Sequence, residues 1–359
     1  MHIYYLYNLL LFSIFPLLGR RIIYFIALTY PLFLLYLPET GYDFSYYKRA
    51  YDTVYFDVNA PLFFRSASEL TAEPGWFTYT GLIHYLVPDY RWFLVFNFLL
   101  SLTLAVKAFT VLKIDQDKVG LMIATMVPIS FITIMFWSPR SAIPLALCFL
   151  GIAYFEKRRE LLGLLFFFLA SMIHSQYVVV IVVICLFYFF RRYLLAKFNI
   201  SAIILMAIAV LALGYLAIDY ILVIISFLPT SAIISSKLHY LDSANSGFRM
   251  SGLLSIVIYP LFMIFFRKNP EFRKLETVLV VLTAFSLLIN IVFISNAHIA
   301  GRLSRVSDYF LFSYVLATTA FLVSPRIGSL VLIPLFIGLP FLFPDLYEFQ
   351  EVLEKLGFL

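Results

Sequence analysis

Charge is scarce in this sequence. Only 13% of its 359 residues are Asp, Glu, Lys or Arg, while 63% are hydrophobic. About a quarter of an ordinary soluble chain is charged, so the balance excludes a soluble globular domain. Cysteine is almost absent as well. Cys148 and Cys185 both sit inside apolar runs, where they read as buried, inert thiols, and their spacing offers neither a disulfide framework nor a metal site. His2, His84, His239 and His298 form no metal-ligand spacing with His174, so no metal is expected. There is no glycine-rich nucleotide loop, no P-loop lysine and no nucleophile elbow; nothing is built to hold a nucleotide donor, and no cofactor is expected. Period-two alternation is missing, which argues against a β-barrel. No internal repeat, soluble domain or low-complexity linker breaks the pattern. The N-terminus has neither a basic n-region nor a small-residue cleavage site, so the first apolar run is read as retained.

What the sequence has in abundance is apolar runs near the length of a bilayer-crossing helix. Hydropathy places them near Tyr4–Leu18, Ile22–Leu37, Trp92–Val111, Val119–Trp137, Ser141–Phe155, Leu161–Ile173, Gln176–Phe190, Ile200–Ala217, Ser251–Phe266, Thr277–Ile294, Asp308–Val323 and Ser329–Phe343. The fold class is therefore an all-α polytopic membrane protein of about twelve transmembrane helices. Residues 1–359 form a single integral membrane domain with two longer loops, 38–90 and 219–250. The first is polar from Pro38 to about Pro74 and then carries a short amphipathic helix, Gly75 to Val87, closed by Pro88-Asp89. Net charge is +6, but the Lys and Arg residues lie mostly in short connectors, as the positive-inside rule requires. No basic stripe with interleaved aromatics occurs on a soluble segment, so nucleic-acid binding is rejected.

The basic connectors are Arg20-Arg21, Lys113 with Lys118, Lys157-Arg158-Arg159, Arg191-Arg192 with Lys197, Arg267-Lys268 with Arg273-Lys274, and Arg326. They share one side only if Gly75–Val87 is re-entrant or interfacial, and at about 1.5 Å per residue it is too short to cross a core of roughly 30 Å. The basic side is then cytoplasmic. Asp43, Glu73, Arg140, His174, Arg302 and Arg305 all face outward under that topology. Ionisable groups in or beside spans are costly and mark functional sites.

Each of these residues also has a plainer reading. Asp43 lies in Gly41-Tyr42-Asp43-Phe44-Ser45-Tyr46-Tyr47, whose aromatics suit a sugar ring or simply an interfacial belt. Glu73 precedes Pro74 and a helix start, where capping would explain it. Arg140 follows Pro139 at an outward turn; it is either a snorkelling anchor or a fixed cation whose planar fork grips phosphate. His174, between Ser171 and Ser175, is an ordinary span-end histidine, a general base or a phosphate ligand. Arg302 and Arg305 are three apart and share a helix face that Asp308 and Tyr309 extend; they form a salt-bridged turn or a diphosphate grip. Arg249 and Lys237 in the second loop could close over it.

The order of these pieces resembles the EpsG-like family of bacterial polysaccharide polymerases, the Wzy type. The matching segments are Gly41-Tyr42-Asp43-x-x-Tyr46, Glu73-Pro74-Gly75-Trp76, Arg140 ahead of the Ala-rich run 142–153, Phe168-Leu169-Ala170-Ser171-x-x-His174-Ser175, and Arg302 followed by Tyr309. They spread over roughly residues 40 to 315. Trp76 stands where such proteins usually carry Phe. The resemblance implies a hexosyltransferase-type O-antigen or exopolysaccharide polymerase in the bacterial inner membrane, with its active site facing the periplasm. It implies transfer of a growing glycan from undecaprenyl diphosphate onto a lipid-linked repeat unit. Donor, acceptor and membrane lipid are the expected partners, with a Wzz-type chain-length regulator as a further one. In this scheme Arg140, Arg302, Arg305 and Arg249 hold the diphosphate, and preorganised cations stabilise the charge of the leaving group. Tyr42, Tyr46, Trp76 and Tyr309 hold glycan. Asp43, Glu73 and His174 are the catalytic candidates, with His174 or Asp43 as base and Glu73 orienting sugar or acceptor.

Two other readings stay open. One is a different lipid-linked glycosyltransferase, such as an O-antigen ligase or a polyprenyl-phosphate sugar transferase. The other is a glycolipid transporter or flippase, whose polar residues would line a path near the bilayer midplane in repeated halves.

Overall fold

The hydroxyl groups of Tyr7 and Thr29 lie 2.5 Å apart. In one unbroken helix the intervening residues would separate them by about 33 Å, so the chain doubles back between them. In the computed structural model, which describes residues 2–36, 42–53, 73–127, 138–197, 257–266, 268–293, 297–324 and 327–333, this hairpin comprises α1 (His2–Leu18) and α2 (Ile22–Tyr36). The corner is a 3-10 turn, Gly19–Arg21. Gly19 takes a φ of +49°, a left-handed conformation that costs glycine little. A Cβ there would lie 2.8 Å from Oδ1 of Asp117. The same oxygen accepts the backbone N–H of Arg20 at 2.7 Å.

Further along come α3 (Tyr42–Asp52), α4 (Pro74–Leu86), α5 (Tyr90–Val111), α6 (Gln116–Met126), α7 (Ala142–Glu156), α8 (Glu160–Ile173), α9 (Tyr177–Lys197), α10 (Tyr259–Phe266), α11 (Pro270–Val292) and α12 (Ala297–Val323). No strand occurs among the described residues. Three stretches among those residues are long and apolar enough to cross a membrane: Leu9–Leu32, Tyr90–Val111 and Ala300–Val323. The first contains the Gly19 corner and is therefore a hairpin rather than one straight span. The expected spans Ile200–Ala217 and most of Ser329–Phe343, together with the loop 219–250, lie outside the described residues.

The chain divides into two compact units, residues 1–175 with 312–359, and residues 176–311. In the first, α7 is the central helix. All its residues from Ala142 to Ala153 are buried, and it packs against α5 and α8. Asp89 starts α5 by accepting the N–H groups of Arg91 and Trp92 at 2.8 and 3.1 Å, as an N-cap carboxylate does. Lys118 on α6 is buried and stands over the rings of Tyr314 and Phe321 on α12, 5.7 and 5.6 Å from their centroids, a cation–π grip.

The segment expected as a polar loop holds a helix, α3. Phe44, Tyr47 and Tyr51 are buried. Their three- and four-residue spacing puts them on one helix face. They pack with Trp76, Ile83, Tyr90, Phe93 and Leu94 into an aromatic-rich core joining α3, α4 and α5. Tyr51 closes it by donating to the Val87 carbonyl at 2.5 Å. Helix α4 is 13 residues long, about 20 Å by the helical rise.

In the second unit, α11 packs against α9 and α10. Ser286 on α11 donates to Oδ1 of Asp308 on α12 at 2.5 Å, and Tyr259 on α10 donates to the Asp308 carbonyl at 3.3 Å.

A carboxylate, histidine and arginine cluster as the candidate active site

Helix α4 starts at Pro74, whose ring presets φ and whose missing N–H is no loss at a first helical position. Glu73 thereby occupies the capping place. Its carbonyl accepts Trp76 N at 3.1 Å and Phe77 N at 3.4 Å, but its side chain makes no capping bond. The carboxylate turns elsewhere. Oε2 accepts Nη1 of Arg140 at 2.8 Å. Oε1 meets Nδ1 of His174 at 2.6 Å and accepts the backbone N–H and hydroxyl of Ser175 at 3.3 and 3.2 Å. Glu73 and His174 are each 6% exposed.

Three local devices bring these groups together. His174 ends α8 with extended backbone at φ −147° and ψ 108°, while its N–H still bonds the Ala170 carbonyl at 3.0 Å. Arg140 rides a 3-10 turn, Pro139–Ser141. Gly75 lets α4 approach the end of α8: a Cβ there would lie 2.7 Å from the Met172 carbonyl carbon and 2.8 Å from its oxygen.

Burial works against the Glu73 charge. The His174 hydrogen bond, the Arg140 and His174 charges and the Ser175 N–H outweigh it, holding the carboxyl at about 2. Glu73 is thus an anion at neutral pH with both oxygens engaged, suited to orienting a neighbour rather than taking a proton. With the imidazole neutral, an Nδ1–H donated to Glu73 leaves the lone pair on Nε2. The Arg140 side chain keeps about a third of its surface exposed and lies over the Tyr47 ring, 5.7 Å from the centroid.

Of the residues singled out from sequence, Glu73, Arg140 and His174 converge. Trp76 is buried beside them, with its ring 6.2 Å from Tyr47, edge to face. Tyr46 is 58% exposed and stands edge-on to Tyr47 at 5.4 Å. Tyr42 and Asp43 open α3, and their side chains lie outside the described residues. Arg302, Arg305 and Tyr309 are partly exposed along α12 in the second unit. Arg249 and Lys237 lie outside the described residues. Among the described residues no group of three or more His, Cys, Asp or Glu side chains gathers to hold a metal.

Sequence reasoning missed Asn97, Tyr79 and Tyr47. Asn97 is fully buried on α5; it donates to the Pro139 carbonyl at 2.8 Å and accepts from the Tyr79 hydroxyl at 3.3 Å. The available signal was a lone amide within an otherwise apolar run, Phe93–Leu100. Tyr47 could have been found from the Phe44, Tyr47, Tyr51 spacing.

Helices throughout the described residues, several of them apolar enough to cross a bilayer, make this a membrane protein. The EpsG family matches residues 20–351, and the chain belongs to that family. It is a membrane protein of the polysaccharide-polymerase type. No curated protein and no solved structure matches it.

Proposed function

We propose that the protein is a Wzy-type polysaccharide polymerase. It transfers a growing glycan from undecaprenyl diphosphate to a hydroxyl of a lipid-linked repeat unit at the outer face of the inner membrane. The observation that carries this reading is the bond between the buried Glu73 carboxylate and Nδ1 of His174. A carboxylate behind an imidazole fixes its tautomer and stabilises the cation formed on proton uptake, the arrangement that activates hydroxyl nucleophiles in hydrolytic triads. His174 Nε2 takes the acceptor hydroxyl proton. The acceptor oxygen forms a bond to the donor anomeric carbon. The bond from that carbon to the diphosphate oxygen breaks, and its electron pair leaves with undecaprenyl diphosphate.

Charge bookkeeping assigns the arginines. Arg140 and Glu73 together are formally neutral, so Arg140 alone adds little net attraction for a diphosphate anion. The family resemblance gives Arg302, Arg305 and Arg249 the same role, and preorganised cations stabilise a developing leaving-group charge. Tyr42, Tyr46 and Tyr309 hold glycan in this reading and Asp43 binds the acceptor. Trp76, expected from sequence to hold glycan too, is instead buried in the α3–α4–α5 core and packs edge to face with Tyr47.

The test is elongation of a synthetic lipid-linked repeat unit by the purified protein in proteoliposomes. Arg140→Ala and Arg302→Ala are expected to lose elongation, and full rate in both would sink the assignment. In cells, loss of a polymerase leaves a single repeat unit on the final acceptor. Polymer stranded on the lipid carrier would instead identify a ligase.

A further inference from the structure

We propose that Asn97 is a positioning residue for Arg140, and that Tyr79 links helix α4 to the Arg140 turn through it. The inference rests on the reading of the Glu73–His174–Arg140 cluster given above.

Asn97 lies in the apolar helix α5 with no exposed surface. Burying an amide in such a place costs free energy unless its bonds are made. Its Nδ2 donates to the Pro139 carbonyl at 2.8 Å, and its Oδ1 accepts from Tyr79 at 3.3 Å. The Pro139 carbonyl did not need this donor, because it already accepts the backbone N–H of Ala142. What the amide adds is a fixed direction for the peptide that leads into Arg140.

The rest of the turn is held in the same spirit. Ser141 N–H bonds the Ser138 carbonyl at 2.8 Å, and the Ser138 and Ser141 hydroxyls meet at 2.8 Å. Helix α4 carries both Glu73, just before its first residue, and Tyr79 in its middle. It therefore reaches the turn twice, directly through Glu73–Arg140 and indirectly through Tyr79–Asn97–Pro139. One link fixes where the guanidinium sits; the second fixes how the turn beneath it is rotated. A cation that must meet developing charge loses effectiveness when misplaced by a fraction of an ångström.

The test compares substitutions in the purified full chain, reading elongation of a synthetic lipid-linked repeat unit and thermal melting on the same preparations. Asn97→Leu is expected to lower kcat about tenfold with KM and melting little changed. Arg140→Lys keeps the charge but loses the planar fork. In that background Asn97→Leu is expected to cost almost nothing more, because the group being aimed is gone. Tyr79→Phe deletes one oxygen and is expected to follow the same pattern at about threefold; it decides the matter where Asn97→Leu does not fold. Where Arg140→Lys is too slow to measure, acid melting decides instead. A loosened Arg140 releases Glu73, so the acid loss of stability moves to higher pH in Asn97→Leu and Tyr79→Phe. Equal losses in both backgrounds, wild-type kcat in the folded single variants, or an unmoved acid limb would overturn the inference. Full elongation by Arg140→Ala would remove the reading beneath it, whatever the Asn97 variants do.

Discussion

Oε1 of Glu73 and Nδ1 of His174 lie 2.6 Å apart although 101 residues separate them in the chain. The contact joins the start of one short helix to the end of another. It places a carboxylate that stays ionised at neutral pH against a ring nitrogen, and it sets which nitrogen of His174 is left to receive a proton.

That contact predicts distinct kinetic defects for its two members. His174→Ala removes the base and is expected to lower kcat by about 10²–10⁴-fold, the usual worth of a positioned proton acceptor. Glu73→Gln keeps the shape but removes the charge that holds the imidazole and stabilises its cation, and is expected to cost about 10²-fold or more. Combining the two should cost little beyond His174→Ala alone, since Glu73 acts through the ring. Single-turnover elongation of a lipid-linked repeat unit measures all three; additive losses would separate Glu73 from His174.

Stability should depend on pH through Glu73. Its carboxyl falls from the ordinary 4.5 to about 2 in the folded protein, so the unfolded chain binds the proton more readily. The resulting stabilisation is full above about 4.5 and is lost as pH falls toward 2. It is on the order of 3 kcal/mol. Thermal melting in detergent should therefore fall across that window more steeply for the native chain than for Glu73→Gln, which has no proton to take up. Parallel curves would show that the Glu73 pair contributes nothing.

Much of this was legible in the sequence for physical reasons. Scarce charge and long apolar runs dictate a helical membrane protein, and Pro74 after Glu73 dictates a helix start. Glu73, Arg140 and His174 were visible because an ionisable group beside an apolar run demands an explanation. Their mutual contacts were not visible, because they depend on how α4, α8 and the Pro139 turn pack, and spacing along the chain does not encode that. Glu73 illustrates the difference: its position reads as a helix cap, yet its oxygens go to Arg140, His174 and Ser175. Helix α3 was hidden by its polar and aromatic composition, although Phe44, Tyr47 and Tyr51 carry a helical period. Asn97 was passed over because one amide hardly alters the hydropathy of its span.

Gly19→Ala offers a control away from the site. The φ of +49° and the nearby Asp117 carboxylate both disfavour a Cβ, so the variant should lose about 1–2 kcal/mol. Gly19 and Arg20 meet Asp117, whereas Glu73 is held by Arg140, His174 and Ser175, so the folded fraction should elongate glycan at the native kcat. A lower melting midpoint with unchanged kcat would match; a kcat loss would mean that the corner influences the site.

Gly75→Ala should separate helix propensity from site assembly. Alanine is about 1 kcal/mol better than glycine within a helix, so α4 considered alone would gain. In the folded protein the new methyl would stand 2.7 Å from the Met172 carbonyl carbon and 2.9 Å from its Cβ. The nearest of these atoms is backbone, so α4 and α8 must move apart, and overpacking of this kind costs about 1–3 kcal/mol. The same separation lengthens the bonds from Glu73 to His174 and Ser175, because Glu73 and Gly75 move together at one end while His174 and Ser175 follow Met172 at the other. Gly75→Ala is therefore expected to melt lower and to lose at least about tenfold in kcat, with its acid limb shifted to higher pH as Glu73 loses its partners. Gly75→Ser should do the same. A variant that melts higher with native kcat would mean that α4 approaches α8 less closely than these contacts require.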